Sequence, residues 1–147
     1  MGTIYGVANP LALPAAYTPT GDVVLTAGAE TTFITTGALL AASPGFYYPI
    51  IWLTIAMLFG VAAPAALTFA FKLGAGADVD SFALAPAAQI VSETDEYSVC
   101  LVGTNSGTAW VGSGSTINIT GLGTTNNSTV KQVGTRAVVA LYRGPDA

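Results

Sequence analysis

Apolar and polar side chains alternate with a period of two over much of this chain. Clusters of glycine, proline, serine or asparagine interrupt the alternation about every ten residues. The clearest case sets Leu67, Phe69, Phe71 and Leu73 against Thr68, Ala70 and Lys72, which predicts a strand over 66–73 with one buried face. The same reasoning predicts strands over 22–26, 30–36, 97–102, 116–120 and 135–143, with a short pairing segment at 109–111. The run 47–59 reads as a long strand in which Pro49 is a candidate break, and 79–84 as a short strand or a short helix continuing to Ala88. Turns are expected at Ala27-Gly28-Ala29, Ser43-Pro44-Gly45, Gly74-Ala75-Gly76, Asn105-Ser106-Gly107 and Gly112-Ser113-Gly114, and a Gly/Thr/Asn loop over 121–128. No helical period is sustained and no internal repeat is evident. About eight short strands at this spacing predict an all-β chain, a jelly-roll-like sandwich or barrel.

Residues 1–20 depart from the pattern. Pro10, Pro14 and Pro19 each fix φ and remove a backbone donor, so the segment reads as an extended N-terminal arm, with 21–147 as a single β-sandwich domain. The arm carries Ile4, Tyr5, Leu11, Leu13 and Tyr17, which have little reason to stay in water and are expected to gain order against a neighbouring chain. The first residues show neither the basic region nor the compact apolar core of a signal peptide.

Residues 46–71 contain no charged side chain, a length that could cross a bilayer as a helix. Pro49, Gly60 and Pro64 punctuate the stretch, its side chains are largely β-branched or aromatic, and no basic residue precedes it. Buried strands are therefore expected in place of a membrane span.

Composition sharpens this picture. Charged residues make up 8% of the 147 positions and hydrophobic ones 52%, against about 25% charged in an ordinary soluble domain. So few charges cannot clothe a lone globule, and burial against partner chains is the economical explanation. Only Lys72, Lys131, Arg136 and Arg143 are basic, and the net charge is −4, so the footprint needed for nucleic-acid phosphates is missing. The single cysteine, Cys100, allows no internal disulfide, and its setting in Tyr97-Ser98-Val99-Cys100-Leu101-Val102 predicts a small buried hydrophobe.

The chain has no histidine, which removes the Ser-His-Asp and Cys-His arrangements and histidine metal ligands. Asp78 with Asp80, and Glu93 with Asp95 and Glu96, lie beside turns and read as solvated loop acids, without the pattern of a calcium loop. Gly112-Ser113-Gly114 is followed by neither the lysine nor the helix of a phosphate-binding loop. No catalytic residue, cofactor or metal is expected. The densest aromatic cluster, Phe46, Tyr47, Tyr48 and Trp52, reads either as core or as an interface anchor.

The proline-rich arm ending in Tyr17-Thr18-Pro19-Thr20-Gly21-Asp22, the long apolar strand before Leu67-Thr68-Phe69-Ala70-Phe71-Lys72-Leu73, and the late strands around Tyr97–Val102 and Thr116-Ile117-Asn118-Ile119-Thr120 together resemble the head decoration (cement) proteins of tailed bacteriophages. The resemblance implies a jelly-roll subunit, assembled in the host cytoplasm, that forms homotrimers on the capsid exterior and reinforces contacts between major capsid proteins through its arm. The unusually apolar middle of this chain departs from that family and leaves a minor capsid, neck, tail or head-fibre role open. A second class is a carbohydrate- or receptor-binding jelly roll, for which Tyr97 near Glu93 and Asp95 is the matching group of residues.

Overall fold

The computed structural model describes residues 15–37, 46–60, 65–84, 94–103, 110–111, 116–124 and 128–143. They form ten strands: β1 (Ala15–Tyr17), β2 (Val23–Val24), β3 (Thr31–Thr35), β4 (Phe46–Phe59), β5 (Leu67–Leu73), β6 (Asp78–Leu84), β7 (Thr94–Val102), β8 (Trp110–Val111), β9 (Ile117–Gly123) and β10 (Ser128–Arg143). The first sheet runs β1-β10-β4-β7, with β2 in line with β1 on β10 and β8 in line with β7 on β4. The second runs β3-β9-β5-β6. Every named strand pair is antiparallel. Counting each in-line pair as one, the orders become 1-8-3-6 and 2-7-4-5, the connectivity of an eight-position jelly roll.

Alternation places the core between the sheets. Ile51, Leu53, Ile55, Met57 and Phe59 face inward from β4, and Leu67, Phe69 and Phe71 meet them from β5. Phe33 packs edge-on to Phe69 with ring centroids 6.1 Å apart, a geometry that aligns the positive ring edge with the negative face. On β3 a bulge between Thr32 and Ile34 lets both Phe33 and Ile34 turn inward.

Three sequence readings are corrected by these strands, and the choice between strand and helix at 79–84 is settled. Pro49 does not break β4. Its missing donor lies on the side where β7 has given way to β8, and its carbonyl still accepts the N–H of Gly103 at 2.9 Å. Residues 79–84 are strand. Residues 121–123 continue β9, because Gly121 leaves room for Leu25, whose Cδ2 would stand 2.9 Å from an added Cβ. The last strand begins at Ser128, well before Thr135. Within the expected arm, Ala15–Tyr17 pair with Val139, Val138 and Ala137 as an edge strand, and Tyr17 packs against the core. Residues 4, 5, 11 and 13 lie outside the described residues.

β10 carries the main irregularity. Between Lys131, opposite Ala56, and Arg136, opposite Thr54, residues 132–135 face Ile55 alone, so β10 holds three extra residues. Inward positions accordingly switch from Val130 to Ala137, Val139 and Leu141. The bulge is fixed at both ends. Asp22 binds Lys131 and accepts the N–H of Gln132 at 2.8 Å. The buried Thr135 hydroxyl accepts the N–H of Ala56 at 3.0 Å. Gly134 has φ +94°, and a Cβ there would meet Ala56 Cβ at 2.9 Å and the Glu96 carboxylate at 3.4 Å. The bulge thus lies over the outward side of Ala56, which is buried although its strand position faces away from the core.

Candidate interaction surface

The outward faces of the two sheets differ in chemistry. The second sheet presents polar groups: Thr68 and Lys72 on β5, Asn118 on β9, Thr35 on β3 and Ser81 on β6, while Thr120 on β9 is buried. They bond among themselves, with Thr35 donating to Asn118 at 2.8 Å and the Asn118 amide donating to the Gly74 carbonyl at 2.7 Å. Lys72 pairs with Glu30 and lies 3.6 Å from Asp78. Burial, and the charge of Glu30, push the Asp78 carboxyl above its usual range.

The first sheet is apolar on its outer side as well. Strand register sets Ala16, Val138, Trp52 and Cys100 side by side across four strands. The next levels hold Ala140, Ile50 and Val102, then Tyr142 beside Tyr48. Trp52 is 43% exposed and Cys100 is also exposed, while Val138, Ile50, Val102, Tyr48 and Tyr142 are half-buried. A shallow hollow lined by Trp52, Thr54, Ser98 and Cys100 lies beside Trp52. The bulge over Ala56 and Glu96 stands one level further along and closes that end like a ledge, carrying Val133 at 84% exposure. Beside the Asp22–Lys131 ion pair, level with Ala56 on the β10 side, the face holds two opposite charges flanking β4: Arg136 on β10, level with Thr54, and Glu96 on β7, level with Ala56. Both are exposed, and neither forms an ion pair among the described residues.

Among the aromatic residues singled out from sequence, Tyr48 and Trp52 lie on this face, and Phe46 and Tyr47 pair with Val111 and Trp110 on the same strand. Cys100 corrects the expectation of burial: Val99 and Leu101 take the inward positions of β7, which leaves Cys100 outward. Sequence reasoning did not find Val138, Tyr142, Arg136 or the ledge. Val138 and Tyr142 alternate with inward Ala137, Val139 and Leu141, so period two was present but both sets were apolar. Tyr97 packs against the core, and burial raises its phenol above the usual range, with Asp95 adding to the effect. Asp78 and Asp80 serve separate partners, the first near Lys72 and the second at Val102.

No known family model and no curated protein sequence matches the chain. Among solved structures it is similar to Eiger TNF from S. frugiperda, with a TM-score of 0.55 and 11% identity over 95% of this chain and 96% of that one. It also overlays 29% of a chain from the infectious bursal disease virus Gx strain, at a TM-score of 0.40 and 13% identity over 92% of this chain. The D431N VP2 protein of that virus, from T=1 particles, overlays at a TM-score of 0.38 and 12% identity, over 100% of this chain and 49% of that one. At such identities likeness is one of fold, and the TNF overlay spans both chains. The class defined by the topology and the overlay is the two-sheet antiparallel jelly-roll sandwich. Its particular feature in this chain is one polar and one apolar outer face.

Proposed function

We propose that this chain is a structural subunit of a virus particle, a decoration or cement protein that stabilises a capsid by packing against other protein chains. The observation that carries the reading is the apolar outer face around Trp52, on a sandwich whose core is already complete between the sheets. Exposed apolar area of this kind, rimmed by polar residues, is the usual mark of a protein partner. The charge-poor composition and the resemblance of the sequence to phage decoration proteins agree with it. Residues 1–14, the part of the expected arm that precedes β1, extend the same role by gripping a neighbouring subunit on the capsid exterior.

The test uses capsids of the encoding virus prepared without this chain. Added chain is expected to bind saturably and raise the temperature at which the capsids open. Trp52→Glu and a chain lacking residues 1–14 are each expected to bind more weakly while keeping the β-sheet circular dichroism signal. Failure of the full chain to bind overturns the reading.

A further inference from the structure

We propose that the outer face of the first sheet binds a second copy of this chain about a two-fold axis lying in the interface and running along β4. This deepens the packing function above and rests on it. Charge complementarity selects this partner and this axis. Arg136 and Glu96 lie on opposite sides of β4, on β10 and β7. A two-fold along β4 lays the partner's β10 over this β7 and keeps each residue at its own level. The second copy's Arg136 then sits over Ser98, one strand repeat from Glu96, or roughly 7 Å, within the reach of an arginine side chain. Symmetry makes the same pair twice. An axis across the strands would instead stack β10 on β10 and oppose Arg136 to Arg136. Along β4, apolar groups fall together: Trp52 meets Trp52, and Val138 of each copy covers Cys100 of the other. The ledges meet at one end through Val133.

Size sets the strength. From Tyr48 to Thr54 the strand covers about 23 Å, and four strands cover about 19 Å, so roughly 900 Å² is buried by the pair. That is the range of weak, reversible interfaces, and a dissociation constant on the order of micromolar is expected.

The test is sedimentation equilibrium of the full chain across the micromolar range, with cysteine cross-linking. Wild-type chain is expected to follow a monomer–dimer equilibrium, and Trp52→Glu to remain monomeric with unchanged circular dichroism. Val138→Cys, oxidised mildly, is expected to yield a dimer joined through Cys100. Within one chain these two positions are separated by β4, roughly 10 Å apart and beyond disulfide reach. Arg136→Glu is expected to weaken the dimer about tenfold, and Glu96→Arg added to it to restore the affinity. A monomeric wild type, a Val138→Cys chain that does not cross-link, or wild-type chain that cross-links through Cys100 alone overturns the two-fold pairing. A monomeric wild type whose Trp52→Glu variant still loses capsid binding overturns only the second copy as partner and leaves the packing function standing.

Discussion

Asp80, on the second sheet, accepts the backbone N–H of Val102, on the first, at 2.8 Å. Val102 is the last residue of β7, and its neighbour Gly103 turns its own N–H to Pro49 on β4. The Val102 donor therefore faces the open edge of the sandwich, where an unmatched strand donor would invite another chain. The other Asp80 oxygen accepts the N–H of Ser81 at 2.9 Å. One carboxylate thus ties the two sheets at an edge where no strand joins them. Asp80→Ala is expected to cost about 1–2 kcal/mol in urea unfolding, and Asp80→Asn less, because an amide oxygen can still accept from Val102.

The ledge is sensitive to single atoms. Gly134→Ala places a methyl 2.9 Å from Ala56 Cβ at a φ of +94°, so a loss of about 2 kcal/mol or more is expected. Thr135→Val keeps the shape and leaves the Ala56 N–H without its acceptor, for an expected loss of about 1–2 kcal/mol. Chemical denaturation measures both.

Core and surface aromatics should separate cleanly. Phe69 is fully buried against Phe33, and Phe69→Ala is expected to cost about 3–5 kcal/mol. Trp52 is 43% exposed, and Trp52→Ser is expected to shift the unfolding midpoint far less while reducing association with partner chains. Calorimetry paired with sedimentation checks the contrast.

Two carboxylates give opposite acid responses. The hydrogen bond from Lys131, with that from the Gln132 N–H, holds the Asp22 carboxyl below its ordinary value of 3.8. Its stabilisation is present above that value and is lost as pH falls through the lower folded one. Burial and then Glu30 raise Asp78 above 3.8, so its protonated form favours the fold, and that contribution is lost as pH rises through the raised value. Asp78→Asn is therefore expected to abolish a gain in stability on acidification towards 3.8, and Asp22→Asn to shrink the loss below it. Unfolding midpoints from pH 2 to 7 decide both.

At concentrations well below the micromolar range, where the chain is a monomer, Cys100 is expected to react with a thiol reagent without denaturant, because its side chain is exposed beside Trp52. Labelling only after unfolding would contradict that placement.

Much of the fold was legible because burial is one-sided. Leu67, Phe69 and Phe71 alternate with Thr68 and Lys72, and only one parity can face a core. Where both parities are apolar the signal fails. In Val99-Cys100-Leu101-Val102, either set could be inward, and the choice rests on pairing with Ile51 and Trp52 of β4, which a local pattern does not contain. The ledge was hidden for a related reason. Gln132-Val133-Gly134-Thr135 reads as a weak strand or a turn, and its role appears only when Ala56 and Asp22, distant in sequence, close on it. Gly121 suggested a loop by composition, when the missing side chain is what admits Leu25. The apolar outer face followed from composition as a requirement, but its location needed the register of four strands.

The three extra residues of β10 also bear on descent. Taking out 132–134 would bring Thr135 opposite Ile55 and leave every other pair with β4 as it stands, with no side chain changing faces. The ledge is therefore separable from the sandwich. A lineage can gain or lose it in a single nine-nucleotide step, and a relative without it would align to this chain through one short gap while keeping the same core.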